Sequence, residues 1–183
     1  MPSPIFPALA ALVLLSACAA SGPVTQLGPD GRPIQVIYQI SESDVPLIQA
    51  RMREAMNTLR AQSGLAPVTL NVALTSAAAT HARDMSVQGR AWHFGSDGSS
   101  PIDRVVRAGY QGGFLGETIS ETYETELETL TAWVTEPDTR QIILDPRARE
   151  IGFAWFQDAN GKLWWVLVTG NPAISQGALS AQG

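Results

Sequence analysis

Residues 92–101, which read WHFGSDGSSP, are the stretch from which the rest of the chain is most readily interpreted. The stretch is rich in Gly, Ser and Asp, so we predict a loop that leads into a short helix. Ser100 is placed to cap that helix, Pro101 suits its first turn, and Asp103 completes a capping box. Gly109 predicts where the helix ends.

Two longer helices are predicted before this loop. In each, apolar residues recur every three or four positions, which places them on one face of an α-helix. The first pattern ends at Gly64 and consists of Leu47, Ile48, Met52, Ala55, Met56 and Leu59. The second ends at Gly89 and consists of Leu74, Ala77, Ala78, His81, Ala82 and Met85. Because His81 lies on an apolar face, we expect a core histidine there, with its polar atoms satisfied, rather than a ligand.

After the loop we predict a fourth helix that stops at Pro137. Its apolar stripe consists of Tyr123, Leu127, Leu130, Trp133 and Val134. Glu124, Glu126 and Glu128 are expected on its solvated face, although an acidic cleft rim that attracts cations is an alternative. A further helical turn is expected over residues 139–144.

In the last part of the chain the apolar residues no longer recur every three or four positions but at every second position. Residues 150–157 and 162–169 alternate around the turn-forming residues 158–161, which is typical of an antiparallel hairpin. Of the adjacent Trp164 and Trp165, one is a candidate for exposure, with packing under a helix as the commoner outcome. Helices followed by a terminal hairpin indicate an α+β fold, with helices packed on a small antiparallel sheet.

The composition fits one folded domain and excludes several classes of protein. The chain has 183 residues, is 45 % apolar and 16 % charged, and carries a formal charge of −5. It is therefore not a disordered chain, and without a basic stripe we expect no nucleic-acid partner. A single cysteine excludes a scaffold of intramolecular disulfides. The G-x-S-x-G, Walker and H-E-x-x-H motifs are absent from the sequence.

The first residues predict that the protein is located in a bacterial cell envelope. Residues 1–17 have no charged side chain and contain an apolar run, 8–15, that is too short to span a bilayer. The sequence LSAC at 15–18 resembles the lipobox of bacterial lipoproteins, which implies that Cys18 carries lipid and anchors the chain to a membrane. A plain secretory signal with an incidental cysteine is the alternative. Residues 18–40 are expected to form a tether, with a short hairpin around residues 28–31 and a strand over 34–40.

Several segments together resemble the bacterial branch of the CAP superfamily (cysteine-rich secretory proteins, antigen 5 and pathogenesis-related 1). They are WHFGSDGSSP at 92–101, GETI at 116–119, AAATHARDM at 77–85, AW at 132–133, IILDP at 142–146 and EIG at 150–152. The resemblance implies a CAP (SCP-like) domain over residues 41–172, followed by a loose tail over 173–183. It also implies an α-β-α sandwich, with helices on both faces of a small, mainly antiparallel sheet.

The same resemblance implies a cleft. In the family this cleft is lined by two histidines and two acidic residues, and in some members it binds a divalent metal. His93 matches the first histidine and Glu117 the first glutamate, whereas Thr139 stands where the second histidine would be. Glu136 is the best match to the second acid, with Glu121 and Glu124 as alternatives.

Loss of one imidazole weakens the affinity expected for zinc and removes a candidate base. His93 and Glu117 thus remain weak candidates for a divalent cation, the only cofactor the resemblance implies. Either residue can also have a purely structural role, His93 in the loop and Glu117 as a buried carboxylate. We therefore expect a binding module with a lipid or protein ligand rather than an enzyme. A metal-assisted hydrolase using His93 and Glu117 and a structural envelope protein with a vestigial cleft are the alternatives.

Overall fold

The computed structural model of the chain describes residues 39–175 and, for the backbone alone, residues 26–27 and 33–34. The chain divides into residues 1–36 and a compact unit over residues 37–183. The predicted signal segment, Cys18, the turn at 28–31 and residues 176–183 lie outside the described residues. Within the described part, no helix combines the length and the apolar character needed to cross a bilayer.

A short hairpin precedes the compact unit. Strand β1 (Gln26–Leu27) pairs antiparallel with β2 (Pro33–Ile34), with Gln26 opposite Ile34. Residues 35–38 of the strand predicted over 34–40 lie outside the described residues, and of its other three only Ile34 is in a strand. Residues 39 and 40 are irregular, so this part of the prediction is wrong.

The compact unit begins with a 3₁₀ turn at Glu42–Asp44 and then alternates helices with short strands. The helices are α1 (Val45–Gln62), α2 (Val72–Gln88), α3 (Pro101–Arg107), α4 (Glu126–Thr135) and α5 (Pro137–Ile143). The strands are β3 (Thr69–Leu70), β4 (Gly113–Ser120), β5 (Glu150–Gln157) and β6 (Leu163–Asn171).

The four strands form one sheet in the order β3-β5-β6-β4. β6 pairs antiparallel with both β5 and β4, whereas the short β3 runs parallel to β5. The spacing of apolar residues did not predict β4, because its buried residues do not alternate with exposed ones and include both Gly116 and Glu117. The sheet is therefore mainly antiparallel, as predicted, with one parallel edge.

Helices cover both faces of this sheet, which confirms the predicted sandwich. Successive residues of β6 enter opposite apolar layers. Leu163, Trp165 and Leu167 pack in the layer that contains α1, α4 and α5. Trp164, Val166 and Val168 pack in the layer that contains α2 and α3. Both tryptophans are therefore buried. Since residues 37–183 contain both layers, this unit has what a domain needs to fold by itself.

α2 lies directly on the sheet, and every apolar-stripe residue predicted for it is buried. Asn71 caps the helix by accepting the N–H groups of Ala73 and Leu74, and Gly89 ends it in the left-handed region. The close approach depends on Gly152 in β5. A Cβ there would lie 2.0 Å from the carbonyl carbon of Leu74.

The predicted stripes of α1 and α4 need correction at three positions. Leu47 is 55 % exposed, Leu127 is 44 % exposed, and Tyr123 lies before α4 and is exposed. Glu126 is buried instead of solvated, because the Arg51 guanidinium forms an ion pair with it. α4 thus turns Glu126, Thr129, Leu130 and Trp133 toward the interior.

Candidate functional site

His93 and Glu117, which are 24 positions apart, are in direct contact. His93 lies in the loop after α2, and Glu117 lies in the middle of β4. The imidazole Nδ1 is 3.0 Å from Oε1 of the carboxylate. The His93 side chain is 49 % exposed and that of Glu117 only 2 %. A buried carboxylate thus orients an exposed imidazole, and within residues 39–175 nothing bonds to the other ring nitrogen, Nε2.

Arg104 on α3 is the central residue of this site, although it is not among the site residues predicted from the sequence. Its Nη2 donates to both carboxylate oxygens of Glu117, at 2.9 Å and 2.8 Å. Its Nη1 donates to the backbone carbonyls of His93 and Ser99, at 3.0 Å and 3.1 Å. The guanidinium is buried, so it neutralises Glu117 and fixes the loop at two points. The available signal was its place on the capped helix that follows the loop.

His81 supports the same loop from α2. It is fully buried, as predicted, and its Nε2 lies 2.9 Å from the carbonyl oxygen of Trp92. A carbonyl only accepts, so Nε2 carries the proton. Burial lowers the pKa of His81 below its ordinary value, and the Glu117 carboxylate, 3.7 Å away, opposes this without outweighing it. His81 is therefore a neutral donor. Its Nδ1 has no partner among the described residues.

Further polar contacts shape the rest of the loop. Ser96 donates to Asp84 of α2 through its backbone N–H at 2.7 Å and its hydroxyl at 2.6 Å. Hydrogen bonds from Ser99 and from Arg107 lower the pKa of Asp97 below its ordinary value. A Cβ at Gly95 would lie 2.6 Å from both Asp97 Oδ1 and Ser99 Oγ, so these two side chains would have to shift to make room for it.

Glu136 and Thr139 lie where α4 meets α5. They line a hollow of about 300 Å³ together with Ala91, Ile119, Ser120, Glu121, Thr122, Tyr123, Ala132 and Trp133. Neither His93 nor Glu117 lines this hollow. The Thr139 hydroxyl donates to the carbonyl of Trp133 at 2.6 Å, which ties α5 to α4.

The alternative acids do not complete a site either. Glu121 forms an ion pair with Lys162 at 2.7 Å, and Glu124 is exposed. Across the described residues, no three His, Cys, Asp or Glu side chains are grouped so that they could hold a metal ion. The geometry joins His93 to Glu117, and no hydrogen bond among the described residues joins either of them to Glu136 or Thr139.

The residues present do not fit the divalent cation that the resemblance implies. Both oxygens of Glu117 already accept from a guanidinium, and the Thr139 hydroxyl is committed to a backbone carbonyl. A cation placed at Glu117 would also be repelled by Arg104. What remains is a rigid imidazole with one free nitrogen, which can accept or donate a hydrogen bond.

Comparison with known proteins agrees with the architecture. Residues 53–169 match the sequence model of the cysteine-rich secretory protein family, CAP. The uncharacterized protein YkwD of Bacillus subtilis is 26 % identical over 122 residues, which are 67 % of this chain and 47 % of YkwD. The chain thus spans about half the length of that curated relative.

Two solved structures share the fold at low identity. An outer surface protein from Borrelia burgdorferi has a TM-score of 0.60 and 16 % identity over 74 % of this chain and 98 % of its own. An extracellular protein of Bacillus anthracis with an SCP domain has a TM-score of 0.62 and 18 % identity, over 79 % of this chain and 44 % of its own.

Proposed function

The chain belongs to the cysteine-rich secretory protein (CAP) family, and from that premise we propose that it is a lipid-anchored envelope protein whose CAP domain is a binding module. In this proposal the His93–Glu117 pair builds a recognition loop and performs no metal-dependent reaction. The observation that carries the proposal is the contact of Arg104 with both carboxylate oxygens of Glu117.

Arg104 supplies inside the protein the positive charge that a metal ion would otherwise bring. A buried carboxylate needs a partner of opposite charge, and the guanidinium meets that need without an added ion. No described Ser, Thr or Cys side chain bonds to His93, whose one ring partner is Glu117. The metal-assisted hydrolase is disfavoured because both carboxylate oxygens that would hold its metal already accept from Arg104.

A binding role is supported by the contrast between the two sides of the loop. Its inner side is fixed by Arg104, His81 and Asp84, all through hydrogen bonds to the loop. Its outer side exposes 37 % of Trp92 and 48 % of Phe94, in addition to the His93 ring. A loop that is already ordered loses little conformational entropy when it binds, so such surfaces favour recognition.

The envelope location rests on the lipobox-like residues 15–18 and is supported by the printed descriptions of two structural neighbours, an outer surface protein and an extracellular protein. A structural envelope protein with a vestigial cleft is the second candidate. Thr139 favours this candidate, because it stands at the position of the second family histidine and its hydroxyl donates to a backbone carbonyl.

Thermal melting of residues 37–183 with and without Zn²⁺ or Ca²⁺ tests the absence of a metal site. We expect no rise in Tm for the native sequence. A cation that did bind the native protein would, at about 100 times its Kd, raise Tm by roughly 5–10 °C. Glu136→Gln, in the hollow between α4 and α5, should likewise show no rise. A rise in the native sequence that disappears in Glu117→Gln would overturn the proposal and support the hydrolase.

A further inference from the structure

The loop that carries His93 also exposes a row of three neighbouring side chains, Arg90, Trp92 and Phe94, called here the 90–94 patch. The Arg90 guanidinium lies 3.6 Å from the centroid of the Trp92 ring. The rings of Trp92 and Phe94 have centroids 5.4 Å apart and are tilted by 56°. Two large aromatic residues and a cation thus share one exposed surface.

Arg90 differs from most basic residues of the domain. Within residues 39–175, every Lys or Arg side chain except Arg83 and Arg90 donates to a carboxylate or to a backbone carbonyl. Arg83 and Arg90 instead lie over the rings of Phe156 and Trp92. The guanidinium donors of Arg90 are therefore available for an anionic group such as phosphate, whose geometry a guanidinium matches.

The patch is also rigid before it binds anything. The indole Nε1 of Trp92 donates to Gln88 at 2.8 Å, and the carbonyl of Trp92 accepts from His81 at 2.9 Å. Both partners belong to α2. Burial of Trp92 and Phe94 at a surface would therefore cost little ordering entropy.

The patch lies at the end of the domain where the chain enters it. The backbone N–H of Ile40 donates to Gln157 at 3.0 Å, next to the turn that joins β5 to β6. Ser86 near the end of α2 donates to Asp158 in that same turn. Arg90 follows four residues after Ser86. The chain thus enters the domain at the same end of the sheet at which the 90–94 patch lies.

We propose that the 90–94 patch docks on the surface of an anionic phospholipid bilayer. Trp92 and Phe94 enter the headgroup boundary, and Arg90 binds lipid phosphate. This proposal depends on the proposed function in one respect only, which is the lipid tether. A lipid at Cys18 would hold the chain-entry end near the membrane, so a weak contact would suffice at the resulting effective concentration.

The test uses residues 37–183, which lack the apolar leader and Cys18, with vesicles of phosphatidylcholine or of phosphatidylcholine mixed with phosphatidylglycerol. In co-sedimentation we expect binding to the mixed vesicles only. Arg90→Gln should weaken it about fivefold, and Trp92→Ala with Phe94→Ala about tenfold. Val72→Ser is the matched control, since Val72 is 88 % exposed at the opposite end of α2 and should leave binding unchanged.

Three results would overturn the proposal: no binding to the mixed vesicles, full binding by Arg90→Gln, or an equal loss in Val72→Ser. Displacement by free glycerol phosphate would point to a soluble phosphate ligand instead of a bilayer. Self-association that the patch variants abolish would make a second copy the occupant. Should the double aromatic variant not fold, Arg90→Gln decides the matter, because the Arg90 side chain makes no hydrogen bond within residues 39–175. The cation melts above are independent of all these outcomes.

Discussion

One nitrogen of Arg104, Nη2, lies 2.9 Å from Oε1 and 2.8 Å from Oε2 of Glu117, and both side chains are almost completely buried. The pair links α3 to the middle of β4, and through Nη1 it also holds the loop between α2 and α3. A glutamate that the family resemblance assigns to a cleft is thus used here to build the loop.

Glu117→Gln should lower the free energy of unfolding by about 3 kcal/mol, because it leaves a buried guanidinium without its counter-charge. Urea unfolding of residues 37–183 measures this. Glu136→Gln removes an exposed carboxylate and should change stability by less than about 0.5 kcal/mol. A loss below about 1 kcal/mol for Glu117→Gln would show that the pair adds little.

His81 should make stability depend on pH. Burial lowers its pKa in the folded state, so below about pH 6.5 the unfolded chain binds a proton that the folded chain does not. The contribution of His81 to the free energy of unfolding is therefore fully present above about pH 6.5. It declines as the pH falls, by at most about 1.4 kcal/mol per pH unit. Urea midpoints between about pH 5 and 7 measure the slope. His81→Gln should flatten it, and an unchanged slope would contradict the assignment.

Gly152→Ala should cost about 3 kcal/mol, at the upper end of overpacking effects, since its Cβ would meet the backbone of Leu74. Gly64→Ala is the comparison variant, and it should cost less than Gly152→Ala. Gly64 has φ of +70° but nothing within 4 Å of its Cβ position, so only the left-handed backbone cost of about 1–2 kcal/mol applies. Equal losses in the two variants, measured by thermal or urea unfolding, would mean that α2 has room to move off the sheet.

Cys18→Ala should release the full-length protein from membranes. Acyl chains contribute about 0.8 kcal/mol for each buried methylene, and two or more chains give a stable anchor. Extraction with alkaline carbonate followed by sedimentation is the measurement. A variant that still sediments with the membranes after this treatment would rule out the lipid at Cys18 as the anchor.

The parts of the fold with a local cause could be predicted from the sequence. The stripe of α2 follows from its period, and the start of α3 follows from Ser100 and Asp103, which form both hydrogen bonds of a capping box. The hairpin of β5 and β6 follows from alternation around residues 158–161. In each case the residues that decide the structure are close together in the chain.

What escaped prediction depends on distant partners. β4 carries a buried glutamate and no clean alternation, so it reads as a strand only once Arg104 and β6 are beside it. Glu126 looks like a solvated helix residue until Arg51 of α1 is brought against it. The site followed the same rule: His93 and Glu117 came from a resemblance, whereas Arg104, although it lies on the capped helix after the loop, meets Glu117 only in the folded chain.

The position of β6 has a consequence for how the chain acquires its structure. β6 is central in the sheet and buried along its whole length, yet it is the last strand along the described chain. While residues 163–171 are still unsynthesised, β4 and β5 have no strand between them and neither apolar layer is complete. Folding must therefore wait until translation of this segment is finished, and a growing polypeptide that stays unfolded until then is in the state that an export channel can thread.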